Sequence, residues 1–261
     1  MKTVIVGAGN VATHVALALA GIGEPPEQIW SRTADSAAEL AERTGSRAVT
    51  DMADIMDDAD MYIVAVKDSA MSSVIDRLCD GRRKGVFVHT AGTMSMKLFE
   101  GRCEHYGVLY PMQTFSKNKA LDFSGIPCFV EASDTDTLTK IRAVADKLSR
   151  RVYELEESER RWLHVAAVFA CNFSNACYAM AADILQKHGI DFGVMLPLID
   201  ETTAKLHSLT PSEAQTGPAV REDHNVMDKH LDMLAGDGRL QDVYRMMSDV
   251  IIGNKRKDRS M

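Results

Sequence analysis

The chain has 261 residues, 46% hydrophobic and 26% charged, the balance of a globular protein that buries a core in one large domain or two modest ones. Lys and Arg total 30 against 37 Asp and Glu, a net charge of −7, so no broad nucleic-acid surface is expected. Five scattered Cys form neither a disulfide framework nor a zinc signature; free thiols fit a reducing, cytoplasmic setting, and no metal site is expected.

Val4-Ile5-Val6 opens the chain as a buried strand, and MKTVIVGAG runs straight into glycines, unlike a signal peptide. Val11–Ala20 is Ala- and Leu-rich and reads as a helix. Gln28–Ser31 is a second strand, followed by a helix from Ser36 to Thr44. Ala48-Val49 is a third strand. Met61–Val66 is a strong fourth, with no polar break. Val86–Val88 and Val108–Tyr110 make the fifth and sixth. Strands at Cys128–Glu131 and Arg151–Glu154 flank a helix near Asp134–Leu148. Strands alternating with helices predict an α/β fold with a parallel sheet covered on both faces.

Past about Glu154 no strand run remains. Helices are predicted at 157–187, 192–207, 223–235 and 238–252, punctuated by Gly189, Pro211, Gly217-Pro218 and Gly236, with a polar, frayed tail from Asn254. Trp162–Ala182 carries no Asp, Glu, Lys or Arg and has the length of a membrane span, about 20 residues. It also carries His164, Asn172, Ser174 and Asn175, which are costly in lipid, so the reading is a helix buried within protein and no membrane.

Val4-Ile5-Val6-Gly7-Ala8-Gly9-Asn10-Val11-Ala12 has the form strand, G-x-G-x-x-A, helix. Gly7 permits the tight turn, Gly9 lets a pyrophosphate approach the backbone, and Ala12 allows close helix–strand packing. The helix then offers free N–H groups and its positive dipole end to phosphates. A lone glycine motif is weak; this one sits in the strand–turn–helix context that dinucleotide binding requires. The fold class is therefore a Rossmann-type doubly wound sheet, residues 1–153, followed by an all-α domain, 154–261.

An NAD-preferring site usually has a carboxylate about 20 residues on, at the end of the second strand. Here the stretch reads Ile29-Trp30-Ser31-Arg32-Thr33. Ser31 and Thr33 bring hydroxyls and Arg32 a planar, always charged fork for a phosphate, which predicts NADP(H) over NAD(H). Arg32 as a merely solvated loop residue is the plain alternative.

Ligands of open α/β sheets bind outside the carboxyl ends of the strands. Ala65, Val66 and Lys67 follow the fourth strand and should run beside the cofactor, unless Lys67 simply precedes a helix capped by Asp68-Ser69. His89-Thr90-Ala91-Gly92-Thr93 follows the fifth; Thr90 and Gly92 suit the nicotinamide, while His89 also reads as a core histidine. Gln113 and Thr114 follow the sixth strand, facing the same cleft or forming a plain turn.

These motifs, VGAGNVA at 6–12, WSRT at 30–33, HTAGT at 89–93, YPMQTFS at 110–116, the Asn-bearing helix near 164–175 and TGPAVRED at 216–223, together resemble the superfamily of short Rossmann enzymes with a helical second domain. It includes pyrroline-5-carboxylate reductase, ketopantoate reductase, the 3-hydroxyacid (6-phosphogluconate-type) dehydrogenases and the coenzyme F420-dependent NADP oxidoreductases. The likeness is greatest to a bacterial branch that joins a Rossmann-like domain to a C-terminal helical domain of unassigned function. It implies an NADP-dependent oxidoreductase and a homodimer formed through the helical domain.

On an α-helix, positions 7 and 11 apart return to within about 20° of one face. His164, Cys171 and Asn175 therefore form one stripe, with Asn172 beside it. An imidazole can donate a proton to a carbonyl or imine being reduced, and Asn amides can orient the substrate. The 3-hydroxyacid dehydrogenases carry a catalytic Lys and an Asn one turn later on the equivalent helix. This chain departs from that pattern: Val168 lies one turn after His164, and the stripe has no Lys. Polar groups hydrogen-bonded inside a bundle or dimer interface are the alternative. In the 216–224 segment Arg221 is a candidate anchor for an anionic substrate, or a partner for a neighbouring carboxylate.

Two functions follow. In the first, NADP(H) exchanges a hydride with a small carbonyl, hydroxy-acid or imine substrate in an interdomain cleft, with His164, Asn172 and Asn175 as catalytic residues. In the second, the chain is a non-catalytic NADP(H)-binding sensor or partner-binding protein.

Overall fold

The structure is a computed structural model that describes residues 1–81 and 84–258. The apolar runs become the strands of one eight-stranded sheet. They are β1 (Thr3–Val6), β2 (Gln28–Trp30), β3 (Arg47–Val49), β4 (Met61–Val64), β5 (Val86–His89), β6 (His105–Pro111), β7 (Cys128–Ala132) and β8 (Val152–Glu154). Their order is β3-β2-β1-β4-β5-β6-β7-β8. The first six are parallel; β7 runs antiparallel to β6, and β8 parallel to β7.

The central strands β1, β4 and β5 are buried at every residue, as both-face coverage requires. Alternate side chains enter opposite layers. Ile5, Ile63, Val88 and Leu109 face one core with Ala12, Val15 and Ala16 of α1 (Asn10–Gly21) and Ile141, Val144 and Ala145 of α4 (Thr135–Leu148). Val4, Val6, Tyr62, Val64 and Phe87 face the other with Met71, Ile75 and Leu78 of α3 (Asp68–Cys79). Helix α2 (Ala34–Thr44) adds Leu40 and Ala41 to the first layer. The chain winds one way from β1 to β2 and β3, and the other way from β4 onward. That reversal puts the switch point, where such sheets bind ligands, at the carboxyl ends of β1 and β4.

The chain divides into two compact units, Met1–Cys171 and Asn172–Met261. The first outlasts the strands and the sequence boundary at 153, because it includes helix α5 (Glu157–Ala167), whose Arg160 is fully buried. Beyond α5 the backbone is π-helical over Val168–Phe173 and returns to α-helix in α6 (Ser174–Lys187). This corrects the predicted stripe. A π turn changes the hydrogen-bond register, so the α-periodicity that grouped His164 with Cys171 and Asn175 does not run through it.

The second unit continues with α7 (Leu196–Lys205), α8 (His224–Met233) and α9 (Gly238–Asp258). Helix α9 covers the start of the tail expected to fray; residues 259–261 lie outside the described residues. Within the single chain the long helix is exposed. No residue from Trp162 to Ala182 is buried in the chain, and Trp162 and Phe169 are 77% and 65% exposed. Among the described residues of the second unit only Ala219 and Ser248 are buried. The apolar faces are there, but among the described residues they stay exposed. By length and composition alone, the run Glu157–Lys187 is long and apolar enough to cross a membrane.

Candidate cofactor and proton-donor site

At the end of β1, Gly7 adopts φ +130° and its N–H donates to the Trp30 carbonyl at 2.8 Å. A Cβ at Gly7 would collide with the Ala65 carbonyl oxygen, so the turn presses against the loop after β4 and requires glycine. Gly9 has the opposite surroundings. It is exposed, its φ of −82° suits any residue, and nothing lies within 4 Å of where its Cβ would be. That open space is what a phosphate approaching the backbone needs. Asn10 is exposed, Val11 half-buried and Ala12 buried against the sheet. No side chain caps α1, and its first turn holds no acidic residue, so its N–H groups and positive end are left for an anion.

The neighbouring loops are stitched beside this turn. Ala65 N–H donates to Val6 at 2.9 Å, and Thr90 N–H to Val64 at 3.1 Å. After β2, Ser31 is buried, its N–H bonded to Val49 at 3.1 Å, while Arg32 and Thr33 are exposed. Among the described residues Arg32 has no ion-pair or hydrogen-bond partner. Val66 is half-buried; Lys67 is exposed at the start of α3, where Asp68 accepts from Thr93 Oγ1 at 3.0 Å. The open space above Gly9, the uncapped helix and the unpaired guanidinium fit a dinucleotide carrying an extra phosphate on its ribose.

Past β5 the structure separates residues that the sequence leaves undecided. His89 is fully buried and does not line the surface; its Nδ1 accepts from Ala91 N–H at 3.2 Å. Burial, and then the Arg160 charge, push its pKa from 6.5 down to about 3, against a smaller opposing contribution from the Ser95 backbone. It is the core histidine of the two readings. Gln113 is exposed and accepts from its neighbour Thr114 N–H at 2.8 Å, a local turn. Arg221 is exposed in the second unit, one residue before Glu222, whose left-handed φ of 53° and ion pair with Arg256 at 3.0 Å fix that bend.

The unexpected part of the site comes from α5. Arg160 is 0% exposed and donates through Nη1 to the carbonyls of Ala91, Gly92 and Met94 at 3.0, 2.9 and 2.9 Å. Its Nη2 pairs with Glu131 of β7 at 3.0 Å, and the other Glu131 oxygen accepts from Glu157 N–H in the first turn of α5 at 3.1 Å. One turn after Arg160, His164 is half-buried with Nδ1 3.1 Å from the Tyr110 hydroxyl. A Cβ on Gly92 would stand 2.5 Å from that Nδ1. The first unit thus brings His164 to the loop that holds Thr90 and Gly92. Asn172 and Asn175 are exposed residues of the second unit, beyond the start of the π turn. Sequence reasoning missed Arg160, Glu131 and the role of Tyr110. Among the described residues no group of three or more His, Cys, Asp or Glu is placed to hold a metal ion.

A sheet in this order, with a glycine turn at its switch point, defines the Rossmann class of dinucleotide-binding folds. The family described as NADP oxidoreductase, coenzyme F420-dependent, matches residues 2–91, and a domain of unknown function (DUF2520) matches residues 126–251. A solved structure from Bacteroides fragilis, named "putative NADP oxidoreductase", is 47% identical with a TM-score of 0.93, over 97% of this chain and 98% of that one. This chain belongs to the family of that protein, with a Rossmann domain of the F420-dependent NADP oxidoreductase type and a DUF2520 domain. An imine reductase from Myxococcus stipitatus, solved with NADP+, is 16% identical with a TM-score of 0.67, over 98% of this chain and 93% of that one. A pyrroline-5-carboxylate reductase from Coxiella burnetii is 14% identical with a TM-score of 0.61, over 98% and 97%. These last two share the fold. No curated protein matches.

The buried His89 carries a pH prediction. Its folded pKa lies below the 6.5 of the free group, so the unfolded chain takes up a proton that the native chain refuses. Its contribution is intact above pH 6.5 and is lost as pH falls toward about 3, by up to about 1.4 kcal/mol per pH unit. Urea denaturation at a series of pH values should show a shallower loss between pH 6.5 and 5 in His89→Gln than in the natural chain.

Proposed function

We propose that the chain is a cytoplasmic NADP(H)-dependent oxidoreductase acting on a small carbonyl, hydroxy-acid or imine compound. The observation that carries this reading is the cradle at the switch point, with open space above Gly9, an uncapped α1 and an exposed Arg32 that has no partner among the described residues. The family supports it, since the Bacteroides fragilis relative bears the name of an NADP oxidoreductase. Gly7, Gly9, Asn10, Val11 and Ala12 would receive the pyrophosphate. Ser31, Arg32 and Thr33 would hold the additional ribose phosphate. Ala65, Val66, Lys67, Thr90 and Gly92, on the loops after β4 and β5, would flank the remainder. Bound NADPH supplies the hydride. His164 is the proton donor of this reading, because it lies against the Gly92 loop. Asn172 and Asn175 keep a proposed orienting role on their amide chemistry alone.

The same reading takes a second copy of this chain as the cover for the exposed apolar faces, rather than a lipid bilayer or nucleic acid. Trp162, Phe169 and Phe173 on the long helix, and Leu198, Met233 and Met246 beyond it, are at least half exposed. Exposed apolar area on this scale marks an interface, and the second unit has almost no core of its own.

Titration with each cofactor tests the first part. NADPH should bind more tightly than NADH, and Arg32→Ala should weaken NADPH by about 10–100-fold, the value of a charge-assisted hydrogen bond, while leaving NADH nearly unchanged. NADPH oxidation against a panel of keto acids and cyclic imines should be lost in His164→Gln with NADPH binding retained. Binding without turnover across the panel would identify the sensor instead. Light scattering after size exclusion should give twice the mass of the 28.7 kDa chain without detergent; a monodisperse monomer would remove the second copy from the reading.

A further inference from the structure

We propose that Tyr110 is a positioning residue for His164: its hydroxyl holds the Nδ1 edge of the imidazole over Gly92 and so leaves the exchangeable proton on Nε2. The chemical use of that proton rests on the oxidoreductase reading above; its placement does not.

Four observations support this. Tyr110 Oη and His164 Nδ1 lie 3.1 Å apart, and among the described residues neither atom has another hydrogen-bond partner. The ring fits only because residue 92 is glycine, since a Cβ there would meet His164 Nδ1 at 2.5 Å, its Cγ at 3.0 Å and Tyr110 Cζ at 3.0 Å. The loop cannot recede, because Arg160, one turn earlier on α5, grips the carbonyls of Ala91, Gly92 and Met94. Burial raises the pKa of Tyr110, so its hydroxyl stays protonated.

The proposal assigns the donor in this contact. In the neutral imidazole the phenol O–H donates to a bare Nδ1, so the ring proton sits on Nε2. In the imidazolium, Nδ1–H donates to the phenol oxygen, and Nε2–H is the proton free to leave. Nε2 lies on the ring edge away from Gly92 and has no hydrogen-bond partner among the described residues. On reduction, the substrate carbon gains the hydride, and the C=O or C=N π pair moves to the oxygen or nitrogen. That atom takes the Nε2 proton, the imidazolium becomes neutral, and water recharges it. The hydroxyl of Tyr110 never loses its own proton.

Side-chain 15N NMR of the full chain reads the tautomer directly, with the His164 signals identified by their loss in His164→Gln. The neutral natural chain should show a bare Nδ1 and a protonated Nε2. Tyr110→Phe keeps the ring but loses the hydroxyl and should give a mixture of both tautomers. Gly92→Ala, whose methyl needs the space of the Nδ1 edge, should disturb the same signals with Tyr110 intact. A dominant Nδ1–H form in the natural chain, or an unchanged tautomer in Tyr110→Phe, overturns the proposal. None of these readouts requires turnover. An inactive natural chain would defeat the oxidoreductase reading and leave the tautomer result to decide the positioning role on its own.

Discussion

The site of the first unit depends on one buried charge. A guanidinium taken out of water is costly unless its donors and its charge are matched. Arg160 meets that requirement with three backbone carbonyls after β5 and one carboxylate from β7. The match forces several segments into one arrangement. Helix α5 cannot leave the sheet without stranding the charge, and the 91–94 loop cannot shift without losing its donor. Glu131 also receives the N-terminus of α5, so the helix is held both at its start and along its side. Among the described residues Nε of Arg160 has no hydrogen-bond partner.

The same charge organises the electrostatics. It helps to keep His89 neutral and, through its field, opposes the effect of burial on Tyr110. Two histidines in one neighbourhood therefore have different characters. His89 is locked in the core as an uncharged ring, whereas His164 is half-buried beside Gly92, and among the described residues its Nε2 has no hydrogen-bond partner. Environment, rather than residue type, makes His89 a packing histidine.

What was legible in the sequence is what is local. The Gly7–Ala12 turn, the missing carboxylate after β2 and the presence of Arg32 all lie within a few residues of a recognisable strand end. The strands themselves are readable because β1, β4 and β5 are apolar without a break. The clasp is not local: Arg160 meets Ala91 across 69 residues, and Tyr110 meets His164 across 54. Arg160 and Arg161 are adjacent in a charged helical turn, yet the first is fully buried and the second pairs with Glu157 at the surface. Nothing in Glu157-Ser158-Glu159-Arg160-Arg161 marks which arginine faces inward. The π turn is equally silent, since Val168–Phe173 contains neither Pro nor Gly. The helices of the second unit were readable, but not their exposure within the chain, because an apolar helix face does not say where its cover comes from.

That lack of a core has a thermodynamic meaning. Ordering a residue costs about 1–2 kcal/mol of backbone entropy, and burial is the main force that offsets it. In the second unit, with only Ala219 and Ser248 buried among its described residues, burial within the chain offsets little of that cost. If a second copy covers it, as proposed, its order comes from mass action, and its apparent melting point would rise with protein concentration while that of the sheet would not. On that reading dilution acts as a denaturant on residues 172–261, about a third of the molecule, and leaves the clasp and the glycine turn intact.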